Sequence, residues 1–200
     1  DVLISDEYAS LEEMPKDSVI GTSSPRRAAI LRNISQDFKI VDIRGNIHTR
    51  LTKMSDRNLD GIILAAAGLH RMGLQNKIKQ YLPLETFTPS AGQGILCIEL
   101  LRNEKKIEKI LEKLSVKDVQ DCADIERQFV EIIDGDCMSP IGVHARIEKN
   151  KVIINAYIST VDGGKHIKSK HVDDIKNKVN IGKELADIFI KQGAKKLLGK

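Results

Sequence analysis

The stretch SVIGTSSPRRAAILRN, residues 18–33, decides the architecture of the first half of the chain. A short apolar run ends in glycine and small polar residues, which predicts a buried strand over 18–24. Pro25 suits the first position of a helix, because its missing N–H would be unpaired there anyway. Ser24 is then the predicted N-cap, and a helix follows directly on the strand.

Two arginines stand at the start of this predicted helix. Arg26 and Arg27 add positive charge where the helix dipole is already positive, which costs roughly a few tenths of a kcal/mol each. A bound carboxylate or phosphate would reverse that sign, since helix N-termini bind anions. Thr22 and Ser23 supply further hydroxyl groups. The alternative is a solvated arginine pair, and spacing alone does not choose between the two.

The alternation of strand and helix continues along the chain. A strand that runs into a turn at Gly45 and Asn46 is predicted over 38–46, and a helix over 47–55. A near-continuous apolar run over 60–68 is typical of a strand buried on both faces, and LHRMGL after it is predicted to be helical. Strands that alternate with helices indicate an α/β fold with a parallel or mixed sheet covered on both sides.

Arginines recur where these strands end. Arg44 follows the second strand, Arg50 lies in the first turns of the next helix, and Arg71 comes just after the third strand. Ligands of open α/β sheets bind at the carboxyl ends of the strands, and arginine holds planar anions by paired hydrogen bonds. The pattern predicts a ligand with several anionic groups. Carboxylates are favoured over a nucleotide because neither phosphate-binding glycine motif is present.

The second half of the chain has a different pattern. Residues 84–100 read as a crossing segment in which proline and glycines precede a predicted strand, ILCIEL, and a charged helix follows over 103–115. From residue 117 the pattern indicates a small α+β unit. Its predicted elements are a helix over 119–133, a polar loop over 134–140, antiparallel strands over 141–150, 151–160 and 164–172, and a closing amphipathic helix over 179–199.

Composition excludes several classes of protein. The net charge of +4 comes without a dense basic stripe, and only 4% of residues are aromatic, which disfavours a nucleic-acid binder. The 41% hydrophobic content suffices for a packed core, and no apolar run reaches the length of a membrane span. The five histidines are scattered without metal-ligand spacing, so no metal site is predicted.

The three cysteines show no paired spacing, which argues against a disulfide framework or zinc cluster and fits a reducing compartment. Cys97 is predicted to lie in the core, and Cys122, on a helix, is ambiguous. Cys137 lies in the loop DGDCMSPIG and is the most accessible of the three. Taken alone it reads as an idle surface thiol, because Asp134 and Asp136 disfavour a thiolate nucleophile.

Seven stretches together resemble the porphobilinogen deaminase (hydroxymethylbilane synthase) family and run in the family's order. They are GTSSPRR, IRGNIHTRL, DGIILAAAGLHRMG, PSAGQGILCIE, the AxxER of residues 123–127, DGDCMSPIG and GAKKLL. Departures are modest: Pro25 stands where leucine is usual, and Asp136 and Met138 flank the cysteine where glycine and glutamine are commoner. The departures affect the detailed geometry of the loops.

The resemblance implies a fold and its division. It implies a periplasmic-binding-protein-like mixed-sheet domain over residues 1–88, a crossing segment over 89–116 that belongs to the family's first domain, and an α+β domain over 117–200. Family members begin with a further segment that carries the catalytic aspartate in a KDLP-like motif. These 200 residues contain no such motif, so we expect an incomplete part of the enzyme that is inactive in isolation, since proton transfer needs that carboxylate.

The resemblance also implies an activity. The family is a transferase that joins porphobilinogen head to tail, with release of ammonia, into hydroxymethylbilane on a dipyrromethane cofactor, here held by a thioether to Cys137. The acetate and propionate of every ring explain the arginines. The implied cofactor-binding residues are Cys137, Thr22, Ser23, Ser24, Arg26, Arg27, Arg44 and Arg50, and the implied substrate-binding residues are Arg26, Arg27, Arg50, Arg71 and Gln93.

A second hypothesis comes from another class of protein: a non-catalytic α/β module that binds a small carboxylate or senses an effector. Cys137 discriminates, because only the transferase needs it covalently modified. The implied partner is porphobilinogen, without nucleic acid or membrane, and a monomer is expected. The cytoplasm is the default location, and a transit peptide upstream would instead direct the protein to a plastid.

Overall fold

The computed structural model describes residues 1–136 and 138–200. A five-stranded sheet is built from the first part of the chain, in the order β3-β2-β4-β1-β5. Its strands are β1 (Val2–Ile4), β2 (Val19–Gly21), β3 (Lys39–Val41), β4 (Gly61–Leu64) and β5 (Ile78–Tyr81). β2 runs parallel to β3 and β4, whereas β1 is antiparallel to both of its neighbours. The predicted α/β class with a mixed sheet is confirmed.

Helices follow the three parallel strands: α1 (Pro25–Ile34), α2 (Ile47–Asp56) and α3 (Ala66–Arg71). Successive strand residues point to opposite faces of the sheet. Leu3 and Ile63 therefore belong to one buried cluster, and Ile4 and Ile62 to another. Both faces are covered at β1 and β4, which is why these two strands are continuously apolar.

Several strand boundaries in this half differ from the prediction: β2 ends at Gly21 instead of residue 24, and β3 ends at Val41. The apolar run over 60–68 is not one strand, because β4 ends at Leu64 and α3 begins at Ala66. Alanine has the highest helix propensity, so the alanines at the end of the run start the helix. An apolar run alone does not distinguish these outcomes.

The second half forms an α+β unit with a three-stranded antiparallel sheet, as predicted. Its elements are α5 (Lys117–Ile133), β6 (Ile141–Glu148), β7 (Lys151–Ser159), β8 (His166–Asp174), α6 (Lys178–Lys191) and α7 (Ala194–Leu197). Phe129 of α5 and Phe189 of α6 pack edge to face, 5.2 Å apart. The prediction of a single closing helix is wrong, because Gly193 adopts a φ of 93° and separates α6 from α7.

The segment between the two sheets contains the helix α4 (Lys105–Glu112). The predicted strand ILCIEL is wrong: it forms no strand in the described part of the chain, because no neighbouring strand supplies the ladder hydrogen bonds. Cys97 is exposed there and is not a core residue. Among all described residues, no helix combines the length and apolarity needed to cross a membrane.

We call residues 1–88 the first unit, 89–116 the crossing segment and 117–200 the second unit. The crossing segment lies against β6, where Val143 N donates to the Pro89 carbonyl at 2.8 Å. Gly142 allows this approach, because a Cβ there would lie 2.6 Å from the Thr88 oxygen. The first unit also contacts the second unit directly: Arg32 Nη1 of α1 donates to the carbonyl of Val161, which follows the end of β7, at 2.9 Å.

Candidate carboxylate-binding site

The carboxyl ends of β2, β3 and β4 lie at one edge of the five-stranded sheet, because these strands are parallel. The three stretches that carry the predicted arginines begin there. β1 runs the opposite way, and its residue Val2 pairs with Leu64 at the end of β4. Asp1 consequently lies at the same edge, which places a carboxylate among the arginines.

Arg26 and Arg27 are buried against Asp1. Their exposed fractions are 3% and 8%. Arg27 donates from Nε and Nη2 to Asp1 Oδ1 at 3.0 and 2.6 Å. Arg26 Nη2 lies 2.8 Å from Asp1 Oδ2, as an ion pair without hydrogen-bond geometry. The alternative of a solvated arginine pair is therefore wrong.

Gln93 connects the same three side chains. Its Nε2 donates to Asp1 Oδ1 at 2.9 Å, and its Oε1 accepts from Arg26 Nη2 at 3.2 Å. It also accepts a longer bond from Arg27 Nη2, at 3.5 Å. Gln93 belongs to the crossing segment, so this segment helps to complete the site. We call Asp1, Arg26, Arg27 and Gln93 the arginine cluster.

Backbone carbonyls supply the remaining acceptors. Arg26 Nη1 donates to the Thr88 oxygen at 2.6 Å, and Arg27 Nη1 to the Ile63 oxygen at 3.0 Å. Burial lowers the pKa of Arg26 to about 9, with a contribution from the Arg27 charge, and that of Arg27 to about 10. Both remain protonated near pH 7. Two guanidinium charges face one carboxylate, so the cluster keeps a positive charge that an anion would complement.

The hydroxyl groups of the strand-to-helix turn form hydrogen bonds within the turn and to the next strand end. Ser24 Oγ accepts from Arg27 N at 3.4 Å, which confirms the predicted N-cap. Thr22 Oγ1 accepts from Ser24 N at 3.2 Å, and Ser23 Oγ donates to the Ile43 carbonyl at 2.6 Å. These bonds fix the turn from which both arginines project.

Arg50 lies beside the cluster. Its Nε donates to the Gly45 carbonyl at 2.7 Å. The pKa of Arg50 is lowered by partial burial and by the positive charge of Arg27, which brings a third guanidinium into the field of the buried pair. Arg50 therefore extends the positive potential of the cluster toward the sheet edge.

The other two predicted arginines are more exposed. Arg71 Nη2 donates to the Gly94 carbonyl at 3.2 Å, next to Gln93. Arg44 Nε donates to Asp42 Oδ2 at 3.0 Å, and its side chain is 79% exposed. Arg71 thus flanks the cluster through the crossing segment, whereas Arg44 lies on the outer rim. We call Arg44, Arg50 and Arg71 the rim arginines.

Two cavities adjoin the crossing segment. The larger, about 790 Å³, is lined by Arg71 and Gln93, by apolar residues of the crossing segment, and by α5. The smaller, about 290 Å³, is lined by Gln93, Glu126 and His144 among others. Gln93 lines both cavities and also forms hydrogen bonds with Asp1, Arg26 and Arg27. It therefore connects the buried charges to the cavities.

Cys137, the predicted attachment point, lies outside the described residues. The loop beside it is described: Asp136 Oδ1 accepts from Met138 N at 2.9 Å and from Ser139 Oγ at 2.8 Å. Cys122 is buried, and burial together with the Glu126 charge raises the pKa of its thiol to about 11. Cys122 is therefore a poorly reactive structural thiol.

Sequence reasoning missed Asp1. A single aspartate before a short apolar strand carries no motif, and its role depends on the antiparallel direction of β1. It also missed Glu126, which is 3% exposed and accepts from Gly92 N and Ala145 N, both at 2.7 Å. That carboxylate ties the second unit to the crossing segment beside Gln93. Glu126 lies inside the AxxER stretch, which was the available signal.

The fold and the site define an α/β protein with an arginine-lined sheet edge, joined to a small α+β unit. Residues 1–109 match the family model "Porphobilinogen deaminase, dipyromethane cofactor binding domain". Residues 120–191 match "Porphobilinogen deaminase, C-terminal domain". The chain belongs to the porphobilinogen deaminase family, and the hypothesis of an unrelated non-catalytic module is not favoured.

Individual relatives agree with this assignment. The chain is 40% identical over 198 residues to the porphobilinogen deaminase of Alkaliphilus metalliredigens, covering 99% of this chain and 63% of the relative. It is 40% identical over 203 residues to that of Aliarcobacter butzleri, covering 100% and 65%. For Desulforamulus reducens the identity is 36% over 198 residues, covering 99% and 64%. The chain thus spans slightly less than two thirds of the length of these relatives.

Proposed function

We propose that these residues form the part of a porphobilinogen deaminase that binds the dipyrromethane primer and the growing pyrrole chain. The complete enzyme would join porphobilinogen units head to tail into hydroxymethylbilane and release one ammonia per unit. The observation that carries this proposal is the arginine cluster: it already holds one carboxylate, and each pyrrole ring brings an acetate and a propionate. Family membership supports the same reaction.

The cluster fits such a group. Arg26 and Arg27 together carry one more positive charge than the Asp1 carboxylate neutralises. A ring carboxylate would supply the missing negative charge. We propose that Arg26, Arg27 and Arg50 bind the cofactor and substrate carboxylates, with Arg44 on the cofactor side and Arg71 and Gln93 on the substrate side. Thr22, Ser23 and Ser24 would support cofactor binding by holding the turn.

These residues bind and orient the carboxylates of the pyrrole rings. Because Arg26 and Arg27 are buried, water is excluded from the site. Charged hydrogen bonds are stronger in a desolvated site, so carboxylates held there keep a fixed position. When bound, the dipyrromethane supplies the nucleophilic pyrrole carbon to which the first unit is joined. Asp1 is ion-paired with both arginines, so in this proposal it balances charge and takes no part in proton transfer.

We propose that Cys137 carries the cofactor through a thioether. The description of the matching family model names a dipyrromethane-binding domain, which supports the cofactor itself. The other two thiols are less suitable. Cys122 is buried with a raised pKa, and Cys97 lies in the crossing segment, outside the stretch 134–142 that resembles the family's cysteine motif.

We further propose a division of labour: residues 1–88 bind the carboxylates, residues 89–116 close the site, and residues 117–200 anchor the cofactor. The gap between the two family models, between residues 109 and 120, supports a boundary near the start of the second unit. We also propose a monomeric state and a cytoplasmic location; the absence of paired cysteine spacings in the sequence supports the location, because it fits a reducing compartment. Gel filtration with light scattering would test the monomer.

The decisive experiment is peptide mapping of the complete natural protein that contains these residues. Trypsin would place the three cysteines in separate peptides, 80–102, 118–127 and 128–146. We expect a mass addition of dipyrromethane size on 128–146 alone, a pink colour with Ehrlich's reagent, and consumption of porphobilinogen. Cys137→Ala should abolish all three, whereas the matched control Cys97→Ala should keep them.

Two results would overturn the proposal. An active preparation with an unmodified 128–146 peptide would refute the thioether, while leaving the reaction intact. A protein that carries no added mass and consumes no porphobilinogen would refute the function itself.

A further inference from the structure

Tyr157 belongs to β7 of the second unit, yet its side chain is buried in the core of the first. It is 3% exposed and packs in the cluster that contains Ile30 and Leu31 of α1. The other residues of that cluster all come from the first unit. Tyr157 is therefore the point at which the second unit enters the core beneath the arginine-bearing helix.

Three observations indicate that Tyr157 lies near Arg26. Arg26 lies four residues before Ile30, so both project from the same face of α1. Tyr157 pairs across the sheet with Gly142, whose Cα closely approaches the Thr88 carbonyl. That carbonyl accepts from Arg26 Nη1 at 2.6 Å. The phenol and the guanidinium thus border the same interior space.

Both groups lack a hydrogen-bond partner among the described residues. Arg26 Nε and the Tyr157 hydroxyl are each buried and unpaired. The Ser159 hydroxyl, which lies two residues along β7, is engaged with the Thr160 carbonyl at 2.9 Å. Buried polar atoms are rarely left unpaired, and one of these is a donor while the other can accept. Burial raises the pKa of Tyr157, and the neighbouring Ser159 hydroxyl and the Arg26 charge oppose that rise, so both groups lie near the phenol.

We propose that Tyr157 is a positioning residue for Arg26. One buried water links the Arg26 Nε–H to the Tyr157 hydroxyl oxygen and so fixes the plane of the guanidinium. The Nη groups are then held toward Asp1, Gln93 and an incoming carboxylate. The effect on ligand binding rests on the proposed function, whereas the hydrogen bond itself does not.

The first test is independent of activity. In the complete natural protein, NMR of the Arg26 Nε–H would report its exchange with solvent. Tyr157→Phe keeps the ring and removes the oxygen, and we expect exchange at least tenfold faster. The matched control is Tyr8→Phe, because Tyr8 packs against the same cluster but lies after the other end of β1. Unchanged exchange in Tyr157→Phe would overturn the proposal.

The second test measures ligand binding. A hydrogen bond to a charged group contributes about 1.5 kcal/mol at the lower end, so Tyr157→Phe should raise the KM for porphobilinogen about tenfold. At limiting porphobilinogen, a smaller fraction of the apo protein should acquire the covalent dipyrromethane in Tyr157→Phe than in the wild type. In an Arg26→Lys background, which lacks Nε–H, the same change should have no further effect on KM.

The outcomes separate the alternatives. If the hydroxyl were merely an unpaired buried group, Tyr157→Phe would raise the urea midpoint and leave both KM and exchange unchanged. Equal KM effects in the wild-type and Arg26→Lys backgrounds would also overturn the positioning role. A wild-type protein without deaminase activity would refute the proposed function alone, and the exchange experiment would still decide the hydrogen bond.

Discussion

The buried arginine pair and the rim arginines lie at the same sheet edge but in different environments. The side chains of Arg26 and Arg27 are 4% and 10% exposed, whereas that of Arg44 is 79% exposed. Arg44 and the buried pair each contact an aspartate at 3.0 Å or less. Two ion pairs with the same distance between their charged atoms can therefore contribute very differently to the free energy of unfolding. Desolvation decides what the removal of each pair costs.

The difference also separates two tasks. The buried pair is needed to neutralise Asp1, so it contributes both to folding and to the proposed ligand site. The rim arginines face solvent, where their charges attract anions and are screened by salt. Mutations in the two groups should therefore be distinguished by whether stability or binding changes.

The largest effect is expected from Arg27→Leu. It leaves the Asp1 carboxylate buried without the two hydrogen bonds that Arg27 donates to Oδ1, and should lower the free energy of unfolding by about 3–5 kcal/mol. Arg26→Leu should in addition block cofactor assembly, because a ring carboxylate would lose its partner at a cost of ~2–5 kcal/mol. Intact mass measures cofactor assembly in Arg26→Leu, and urea unfolding measures the stability of Arg27→Leu. The control Arg44→Leu should change stability by no more than about 0.5 kcal/mol. Equal stabilities for Arg27→Leu and Arg44→Leu would break the comparison.

Glu126→Gln extends the comparison to a buried carboxylate held by backbone N–H groups. Its two oxygens accept from Gly92 N and Ala145 N, and an amide NH₂ would face one of these donors. Loss of one bond in a buried site should lower the free energy of unfolding by about 1–3 kcal/mol. Glu131→Gln, at an exposed position of the same helix, is the matched control. If Glu126→Gln were as stable as Glu131→Gln, the Glu126 carboxylate would not be needed for stability.

A smaller effect on binding, without an effect on stability, is expected at the rim. Arg71 flanks Gln93 and the larger cavity, so Arg71→Leu should raise the KM for porphobilinogen about tenfold, corresponding to about 1.4 kcal/mol. Arg44→Leu, further out, should change it less. Both effects should shrink in high salt. Steady-state kinetics at two ionic strengths provides the measurement, and a larger effect at Arg44 would reverse the proposed order.

The smallest effect concerns pH. Burial and the neighbouring Arg146 charge lower the pKa of His144, so the folded protein binds this proton less readily than the unfolded chain. Its contribution to stability should fall as pH drops through the unfolded value near 6.5, and level off below the lowered folded pKa. His144→Gln should weaken the fall in the urea midpoint between pH 7.5 and 5. An identical pH profile for the variant would contradict the assignment.

Much of the first unit could be predicted from local sequence. The Ser24 cap and the Pro25 start depend on neighbours within three residues, and the alternation of strands and helices depends on periodicity. The shared edge of the arginines followed from the general rule that parallel strands end on one side. These features depend on local geometry, which is why a single sequence contains them.

Other features could not be predicted because they depend on distant partners. The segment ILCIEL has the composition of a strand, but a strand forms only where another chain segment supplies a ladder. The break between α6 and α7 is caused by Gly193, whose backbone lies in the left-handed region. The surrounding sequence pattern otherwise fits a continuous helix. Asp1 is 92 residues from Gln93, and nothing local connects them.

The α/β and α+β classes, the helix cap, the residues of the arginine edge and, through the motifs, the family follow from the order of the amino acids. The burial of Arg26 and Arg27 on Asp1, the closure of the cluster by Gln93 and the reach of Tyr157 from the second unit emerge only in the folded molecule. Periodicity and capping are set by neighbours along the chain. Burial and charge pairing are set by whichever side chains the topology brings together, and these govern what each charge contributes.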